Sequence, residues 1–176
     1  MYDHARQTSL TGTLRDEHAV ILRALVLLER LGQGLEAGRP VDRKLLTWLR
    51  DFFGSFADRC HHGKEEQVLF PALEQYGIPR ERGPIGVMLD EHEEGRGFLQ
   101  SMTQGDDRKT AEAIRGYTAL LRAHIDKENN VLFPLAEQVL PQAEHERLLH
   151  EFEAVEHAVA GPDVHERILS ELAKWS

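Results

Sequence analysis

Apolar residues recur at helical spacing along most of the chain, and no convincing alternation typical of a strand interrupts them. In the first helix, Leu14, Ile21 and Leu25 fall on one side, and Thr11 or Thr13 is available as its cap. Glycine and proline break the pattern between the predicted helices. The predicted helices are approximately Thr13–Leu35, Asp42–Tyr76, Ile85–Thr103, Asp107–Leu140, Gln142–Ala160 and Asp163–Ser176.

Four long helices joined by short connections predict an all-α fold, an antiparallel four-helix bundle over about residues 11–140. Two additional short C-terminal helices, over about residues 142–176, would form an accessory layer or an oligomer contact. With 41% hydrophobic residues, a chain of 176 residues can bury one substantial core, so we expect a single domain over residues 1–176. Pro71 and Pro134 fall inside the second and fourth helices, where each is expected to kink or end its helix.

The sequence contains an internal duplication. Residues 61–71, His-His-Gly-Lys-Glu-Glu-Gln-Val-Leu-Phe-Pro, align without gaps on residues 124–134, His-Ile-Asp-Lys-Glu-Asn-Asn-Val-Leu-Phe-Pro. Each copy is preceded by Asp-Glu-His, at residues 16–18 and 90–92. The duplication therefore predicts two helical hairpins in tandem, packed about a pseudo-twofold axis with one internal site.

The duplicated residues are suited to metal binding. Residues four apart lie on one face of a helix, so His61 with Glu65, and His124 with Glu128, can aim an imidazole and a carboxylate at one point. One histidine from each facing helix would complete a set of four imidazoles and two carboxylates, which suits two first-row metals with both carboxylates available to bridge them. The predicted ligands are His18, His61, Glu65, His92, His124 and Glu128.

Other sites fit the sequence less well. A ferritin-like di-iron bundle uses Glu-x-x-His, which does not occur in this chain, and a thiolate site is unlikely because Cys60 is the sole cysteine. His62 and Glu66 have the same spacing as His61 and Glu65, shifted by one residue. The alignment of the two Phe-Pro elements favours His61 and Glu65, since a shift by one residue rotates a side chain by about 100° around the helix.

The residues beside the predicted ligands are expected to be structural. Glu17 and Glu91 each precede a ligand histidine and are most simply solvated acids on the helix flank. Tyr117 lies on the face of His124 and is expected to pack in the core. Cys60 should be an inert, partly buried thiol.

Charge and composition exclude several classes of function. The net charge of −9 and pI of about 5.6 argue against a general nucleic-acid or anionic-membrane surface. The longest apolar run, Ala19 to Leu28, is interrupted by Arg23, so no transmembrane helix is expected. The first ten residues have no apolar stretch of signal-peptide length, and one cysteine permits no internal disulfide. We therefore expect a cytoplasmic protein.

On the duplicated His-x-x-x-Glu and Leu-Phe-Pro motifs, residues Thr11 to Gln138 resemble the hemerythrin-like family, also called HHE cation-binding domains. The resemblance implies a non-heme centre of two iron ions that meets dioxygen, peroxide, nitric oxide or iron itself, with the six predicted ligands carried over by position. Oxygen-carrying members supply a fifth histidine one turn after the third-helix ligand, where this chain has Arg96. The resemblance thus implies a more open, redox-active or sensing centre, with the charge of Arg96 attracting anions.

The function expected from these observations is binding or turnover of a small oxygen or nitrogen species at a di-iron centre. The sequence identifies no general acid or base, so it leaves open whether the protein is an enzyme. Two alternatives remain: a module that senses iron or oxygen for a protein partner, and a protein that donates iron to repair iron–sulfur sites.

Overall fold

The computed structural model of the chain describes residues 9–161 and 163–175, and this part of the chain forms six helices and no strand. Ser9 caps the first helix, because its Oγ accepts a hydrogen bond of 3.0 Å from the Gly12 N–H. The predicted caps Thr11 and Thr13 were wrong, since the helix begins before them. The helices are α1 (Leu10–Glu36), α2 (residues 43–75), α3 (Pro84–Gln104), α4 (residues 107–139), α5 (Gln142–Ala160) and α6 (Val164–Lys174).

The all-helical prediction is confirmed, and the predicted helix ends agree with the observed ones to within three residues. The predicted domain also includes residues 1–8, Pro162 and Ser176, which lie outside the described residues. None of the helices in the described segments combines the length and apolar character needed to span a membrane.

Both internal prolines are accommodated without ending their helices. Proline cannot donate to the helix, and its ring clashes with the carbonyl four residues earlier. Just ahead of Pro71 the helix widens into a π-helical turn, in which the Phe70 N–H donates to the carbonyl of Glu65, five residues back. The same turn precedes Pro134 and ends in the same bond to the carbonyl of Glu128. Of the two outcomes expected at these prolines, a kink or an end, the end was therefore wrong. Each widened turn begins at a predicted metal ligand.

A further π-helical stretch covers Phe53–His62 in α2 and has no counterpart in α4. A π-helix closes its hydrogen bonds over five residues, so it has more residues per turn than an α-helix. Consecutive side chains are then separated by less than the usual 100° around the helix axis. This stretch ends at the two neighbouring histidines His61 and His62, and it changes which of them can face the interior.

The hydrophobic core is divided into two clusters, and the predicted ligands lie between them. One cluster is built around Leu25, Leu28, Phe53 and Tyr117, and the other contains Leu14 and members of the two Leu-Phe-Pro segments. Along α1 the order is apolar, then the Glu17-His18 pair, then apolar again. The ligands therefore form a polar layer across the middle of the molecule, closed off on both sides by apolar packing.

Close packing of α1, α3 and α4 defines the position of this layer. Helix α4 packs along both α1 and α3, and α2 contacts both α1 and α3 through its π-helical stretch. Gly32 allows α1 to approach α4, because a Cβ atom at this position would lie 2.7 Å from Cγ2 of Ile114. Helix α5 covers α1 and the π-helical part of α2, and α6 adds Val164 and Leu172 to the core. The C-terminal helices are thus an integral layer beside the ligand-bearing helices.

Candidate metal centre

All six predicted ligands converge in the polar layer, and none is more than 2% exposed. The histidines form two pairs. In the first pair, Nε2 of His18 lies 3.0 Å from Nε2 of His61, and in the second, Nε2 of His92 lies 3.1 Å from Nε2 of His124. We call the first pair subsite A and the second subsite B. Each pair combines a histidine from one of the Asp-Glu-His elements with the His-x-x-x-Glu histidine that follows it in the chain.

Both carboxylates extend between the two subsites. Glu65 places Oε1 3.6 Å from Nε2 of His61 in subsite A and Oε2 3.4 Å from Nε2 of His92 in subsite B. Glu128 places Oε2 3.1 Å from Nε2 of His18 and Oε1 3.2 Å from Nε2 of His124. Each carboxylate therefore offers one oxygen to each subsite, which is the arrangement of a bridging ligand.

The residues present fit a pair of metal ions. Within the described part of the chain, none of the four oxygens of Glu65 and Glu128 has a hydrogen-bond partner, although both side chains are completely buried. A buried carboxylate without a donor or a cation is costly by several kcal/mol. Four imidazole nitrogens face these oxygens, so a cation in each subsite would satisfy both sets of atoms. Oxygen and nitrogen donors of this kind suit iron and other first-row metals.

The outer nitrogen of each histidine is also held. Nδ1 of His61 is hydrogen-bonded to Glu17 at 2.7 Å, and Nδ1 of His124 to Glu91 at 2.9 Å. The prediction that these two glutamates are solvated acids was wrong, because Glu17 is fully buried and Glu91 lies 14% exposed against its histidine. An acceptor at Nδ1 fixes the imidazole tautomer and directs the Nε2 lone pair at the metal.

The remaining two histidines are held from the opposite half of the duplication. Nδ1 of His18 lies 2.9 Å from Oδ1 of Asn129, and Nδ1 of His92 lies 2.8 Å from Oε1 of Glu66. Asn129 and Glu66 are equivalent in the alignment, each directly after a carboxylate ligand. The duplicated segments thus supply the residues that orient the histidine rings as well as the ligands themselves.

Duplicated lysines complete this arrangement but differ in their surroundings. Lys64 donates to Glu17, and Lys127 donates to Glu91. Lys127 is 42% exposed, whereas Lys64 is 1% exposed and also donates to Glu156 of α5 at 2.6 Å. His165 of α6 adds a contact of 3.0 Å to Glu156. The C-terminal helices therefore cover the side of subsite A, where Lys64 and His165 both pair with the carboxylates of Glu17 and Glu156.

Without a metal, the carboxylates of the site raise the pKa values of three of the histidines. Burial alone lowers the pKa of His18, His92 and His124, but the carboxylates around them outweigh it: Glu128 and Glu65 at His18, Glu65 and Glu66 at His92, and Glu128, Glu91 and Glu65 at His124. The net effect raises all three pKa values, and that of His124 to about 10. In the metal-free chain these three imidazoles therefore favour their protonated forms. Metal binding must displace these protons, so we expect metal affinity to fall with falling pH.

Comparison with known proteins identifies the family. The family model of the hemerythrin HHE cation-binding domain matches residues 9–136. The chain belongs to this family. The resemblance noted in the sequence is thereby confirmed, and the protein is a metal-binding HHE domain.

Curated relatives of this HHE domain include the iron-sulfur cluster repair protein YtfE of Escherichia coli O1:K1 / APEC, of Escherichia coli strain SMS-3-5 / SECEC and of Escherichia fergusonii. Each is 34% identical over 137 residues, which cover 69% of this chain and 60% of the relative. The chain therefore matches only about 60% of the length of these relatives. No solved structure shows a significant match to the chain.

His62 of the HHE domain was not among the predicted ligands, yet its side chain also enters the site. His61 and Glu65 lie in the centre as the alignment predicted, while Glu66 lies outside it and holds His92. His62 is 5% exposed, and it offers a ligand atom within 4.8 Å of those of Glu65 and of both subsite B histidines. The sequence contained one indication of this, a second histidine where the other copy has Ile125.

Arg96 has a different role from the expected one. Its Nε donates to Asp58 at 2.9 Å, and a terminal nitrogen donates to Glu66 at 2.7 Å. A third contact of 3.4 Å reaches Glu93. The expectation that Arg96 offers a free charge to anions was therefore wrong. The guanidinium instead stabilises Glu66 in the position where it orients His92.

A narrow cleft reaches subsite B from the surface. Its volume is about 10 Å³, roughly the space that one water molecule needs. Gly95, Arg96, Leu99 and Tyr117 line it, together with His62 and His124. Burial raises the pKa of Tyr117, whose ring packs edge-on against Phe53 at 5.2 Å. The phenol is therefore protonated and packed into the core, as predicted, although it also borders the cleft.

Cys60 is completely buried beside the ligands but belongs to neither subsite. Burial raises the pKa of its thiol to about 12. A thiol in this environment stays protonated and unreactive at neutral pH, which agrees with the inert role predicted from the sequence.

Proposed function

We propose that this HHE domain binds two iron ions, one in each subsite, and that the resulting non-heme di-iron centre binds or turns over dioxygen, peroxide or nitric oxide. The observation that carries the proposal is the set of four buried carboxylate oxygens without hydrogen-bond partners, facing four imidazole nitrogens. The ligands in this proposal are His18 and His61 in subsite A, His92 and His124 in subsite B, and Glu65 and Glu128 as bridges.

The donor set favours iron. Imidazoles combined with carboxylates, with coordination positions left open, are typical of non-heme iron proteins that react with oxygen. Subsite A would supply its iron with two imidazole nitrogens and one oxygen from each of Glu65 and Glu128. Such a set leaves room for an exogenous ligand. The bound iron pair would supply the open positions and the electrons for reaction with a small diatomic or peroxide ligand.

The surrounding residues have three tasks in this proposal. Glu17, Glu91, Asn129 and Glu66 hold the Nδ1 atoms and so direct every Nε2 inwards. The two apolar clusters keep bulk water away from the centre. The narrow cleft at subsite B has room for about one water-sized molecule. These features are those of a centre that meets small oxygen or nitrogen species and excludes organic substrates.

Two further points belong to the same proposal. We propose that α1 with α2, and α3 with α4, form the two tandem antiparallel hairpins that the duplication indicates. The contacts of α2 with α1 and the long contact of α3 with α4 support this arrangement. We also propose a cytoplasmic location, which the single buried cysteine supports.

Stopped-flow spectroscopy of the reduced, iron-loaded chain mixed with dioxygen tests the proposed reactivity. We expect conversion to a di-ferric form that does not revert when oxygen is removed under vacuum. We also expect the iron-loaded chain to consume peroxide, with the metal-free chain as its control. Full return to the starting spectrum would indicate reversible oxygen carriage instead. A chain that binds fewer than two irons would contradict the proposed centre itself.

A second candidate function, iron donation to damaged iron–sulfur sites, is supported by the curated relatives, which are named iron-sulfur cluster repair proteins. Its test uses chain loaded with ⁵⁷Fe and an iron–sulfur protein stripped of its cluster, in the presence of sulfide. Iron donation predicts that the isotope appears in the rebuilt cluster faster than from free iron at equal concentration. Retention of all the iron by the HHE domain would contradict this function.

A further inference from the structure

The packing of His62 against subsite B suggests a role that the duplication does not provide. Its ring stacks on that of His92, with the centroids 3.8 Å apart and the planes at 13°. It also meets the ring of His124 edge-on, at 5.4 Å and 74°. Three imidazoles and Glu65 thus converge with their ligand atoms within 4.8 Å of one another. Among the residues that the structure describes, subsite A brings together two histidines.

The orientation of His62 follows that of the four predicted histidine ligands. Nδ1 of His62 points towards Oδ1 of Asp58, one turn earlier on the same helix, at 3.5 Å. Asp58 is itself held by Arg96. An acid therefore lies on the Nδ1 side of His62, at 3.5 Å and without a hydrogen bond, whereas Glu91 is hydrogen-bonded to His124. The nitrogen left for a metal is Nε2, as in the other four histidines.

A purely structural role does not explain a histidine at this position. In the duplicated segment of α4 the equivalent residue is Ile125, which packs in the hydrophobic core. An apolar side chain therefore fills this position in the other half of the molecule. In addition, Nδ1 of His62 has no hydrogen-bond partner of good geometry within the described residues, so the imidazole gains no compensation from a strong hydrogen bond there.

We propose that His62 is a ligand of the metal in subsite B. The centre then has three imidazoles in subsite B and two in subsite A, with Glu65 and Glu128 shared between them. The additional imidazole comes from α2, adjacent to a ligand of the other subsite, and the π-helical stretch ending at His62 makes this possible. This inference rests on the proposed two-metal centre.

The test counts coordinated histidines in the full chain loaded with cobalt(II) as a paramagnetic probe. With ¹⁵N-labelled histidine, each coordinated imidazole gives one strongly shifted, exchangeable N–H resonance from its non-ligating nitrogen. We expect five such resonances from the wild-type chain. We expect four from His62→Leu, which places at this position the kind of side chain that Ile125 provides in the other copy. We also expect this substitution to weaken the tighter cobalt-binding step by about tenfold or more.

His145→Leu is the matched control, because His145 is also a buried histidine but lies outside both subsites. It should keep all five resonances and both cobalt-binding steps. Two bound cobalt ions with four resonances in the wild-type chain would overturn the role of His62 and leave the two-metal centre intact. A wild-type chain that does not bind two cobalt ions would overturn both. The wild-type count decides the question even if His62→Leu folds poorly.

Discussion

Glu17 and His61 form a hydrogen bond of 2.7 Å at a place where neither side chain is more than 1% exposed. Burial by itself raises the pKa of Glu17, but Lys64, His165 and His61 together hold it well below its usual value. The carboxylate is therefore charged, and Lys64 is its main partner. The ligand His61 is thus oriented by a buried, charged carboxylate, and a buried lysine compensates the charge of that carboxylate.

Removing Lys64 should destabilise the metal-free chain strongly. Lys64→Met removes the main cationic partner of the buried Glu17, and breaking a buried ion pair typically costs about 3–5 kcal/mol. Lys127→Met is the matched control, because Lys127 is the equivalent residue of the second copy and pairs with Glu91, the equivalent of Glu17, but is 42% exposed. It should cost less than about 1 kcal/mol. Urea unfolding of both variants measures the difference. Equal losses would show that the buried lysine has no special structural role.

Glu65 and Glu66 should differ in their effect on metal content. Glu65→Ala removes an oxygen from both subsites, so we expect the chain to retain at most one metal ion. Glu66→Ala removes the partner of His92 Nδ1 and should weaken binding by about 10–100-fold while both ions still bind at saturation. Metal analysis after gel filtration, and competition with a chelator, measure the two effects. Loss of both metals from Glu66→Ala alone would contradict the assignment of Glu65 as the bridge.

Narrowing the cleft should slow the entry of small ligands without changing the metal content. In Gly95→Ala the new methyl group would lie 3.6 Å from the ring of Tyr117, in ordinary contact, and it would occupy part of the space beside subsite B. We expect the association rate of azide or nitric oxide to fall several-fold. Gly97→Ala is the control, because nothing lies within 4 Å of its added Cβ. If both variants bind these ligands at the wild-type rate, the cleft is not the path by which small ligands reach subsite B.

The stability contribution of His165 should depend on pH. Burial lowers the pKa of His165, but contacts with Glu156 and Glu17 raise it to about 9, above its ordinary value of 6.5. The folded chain therefore favours the protonated form. Its contribution should be complete below pH 6.5 and should disappear as the pH rises through 9. Lys64 faces the same two glutamates and stays charged over this range, because they raise its pKa despite its burial.

Thermal unfolding of metal-free His165→Gln against the wild-type chain measures this dependence. The difference in Tm should be largest near pH 6 and should shrink between pH 6.5 and 9. His150→Gln is the control, because His150 is 82% exposed and lies outside this cluster. A difference in Tm that is constant from pH 6 to pH 10 would contradict the assigned role of His165.

The sequence by itself determined the elements of the fold and the central residues of the site. Helical periodicity and the glycine and proline breaks are local properties, so six helices and their approximate ends followed from them. His61 with Glu65, and His124 with Glu128, are four residues apart, and this spacing alone places each pair on one face. The duplication supplied His18 and His92, because a repeated element in the same place implies the same use.

Only the tertiary structure decided what surrounds these residues. The partners of Glu17, Glu91 and Lys64 lie on other helices, and their burial depends on how the helices pack. The charge of Arg96 was expected to attract anions, because the sequence does not show that Asp58 and Glu66 lie beside it. His62 was set aside on the assumption of 100° between consecutive side chains, which the π-helical stretch of α2 changes. Local spacing fixed which side chains share a helix face, whereas contacts between helices fixed their charge, their burial and their partners.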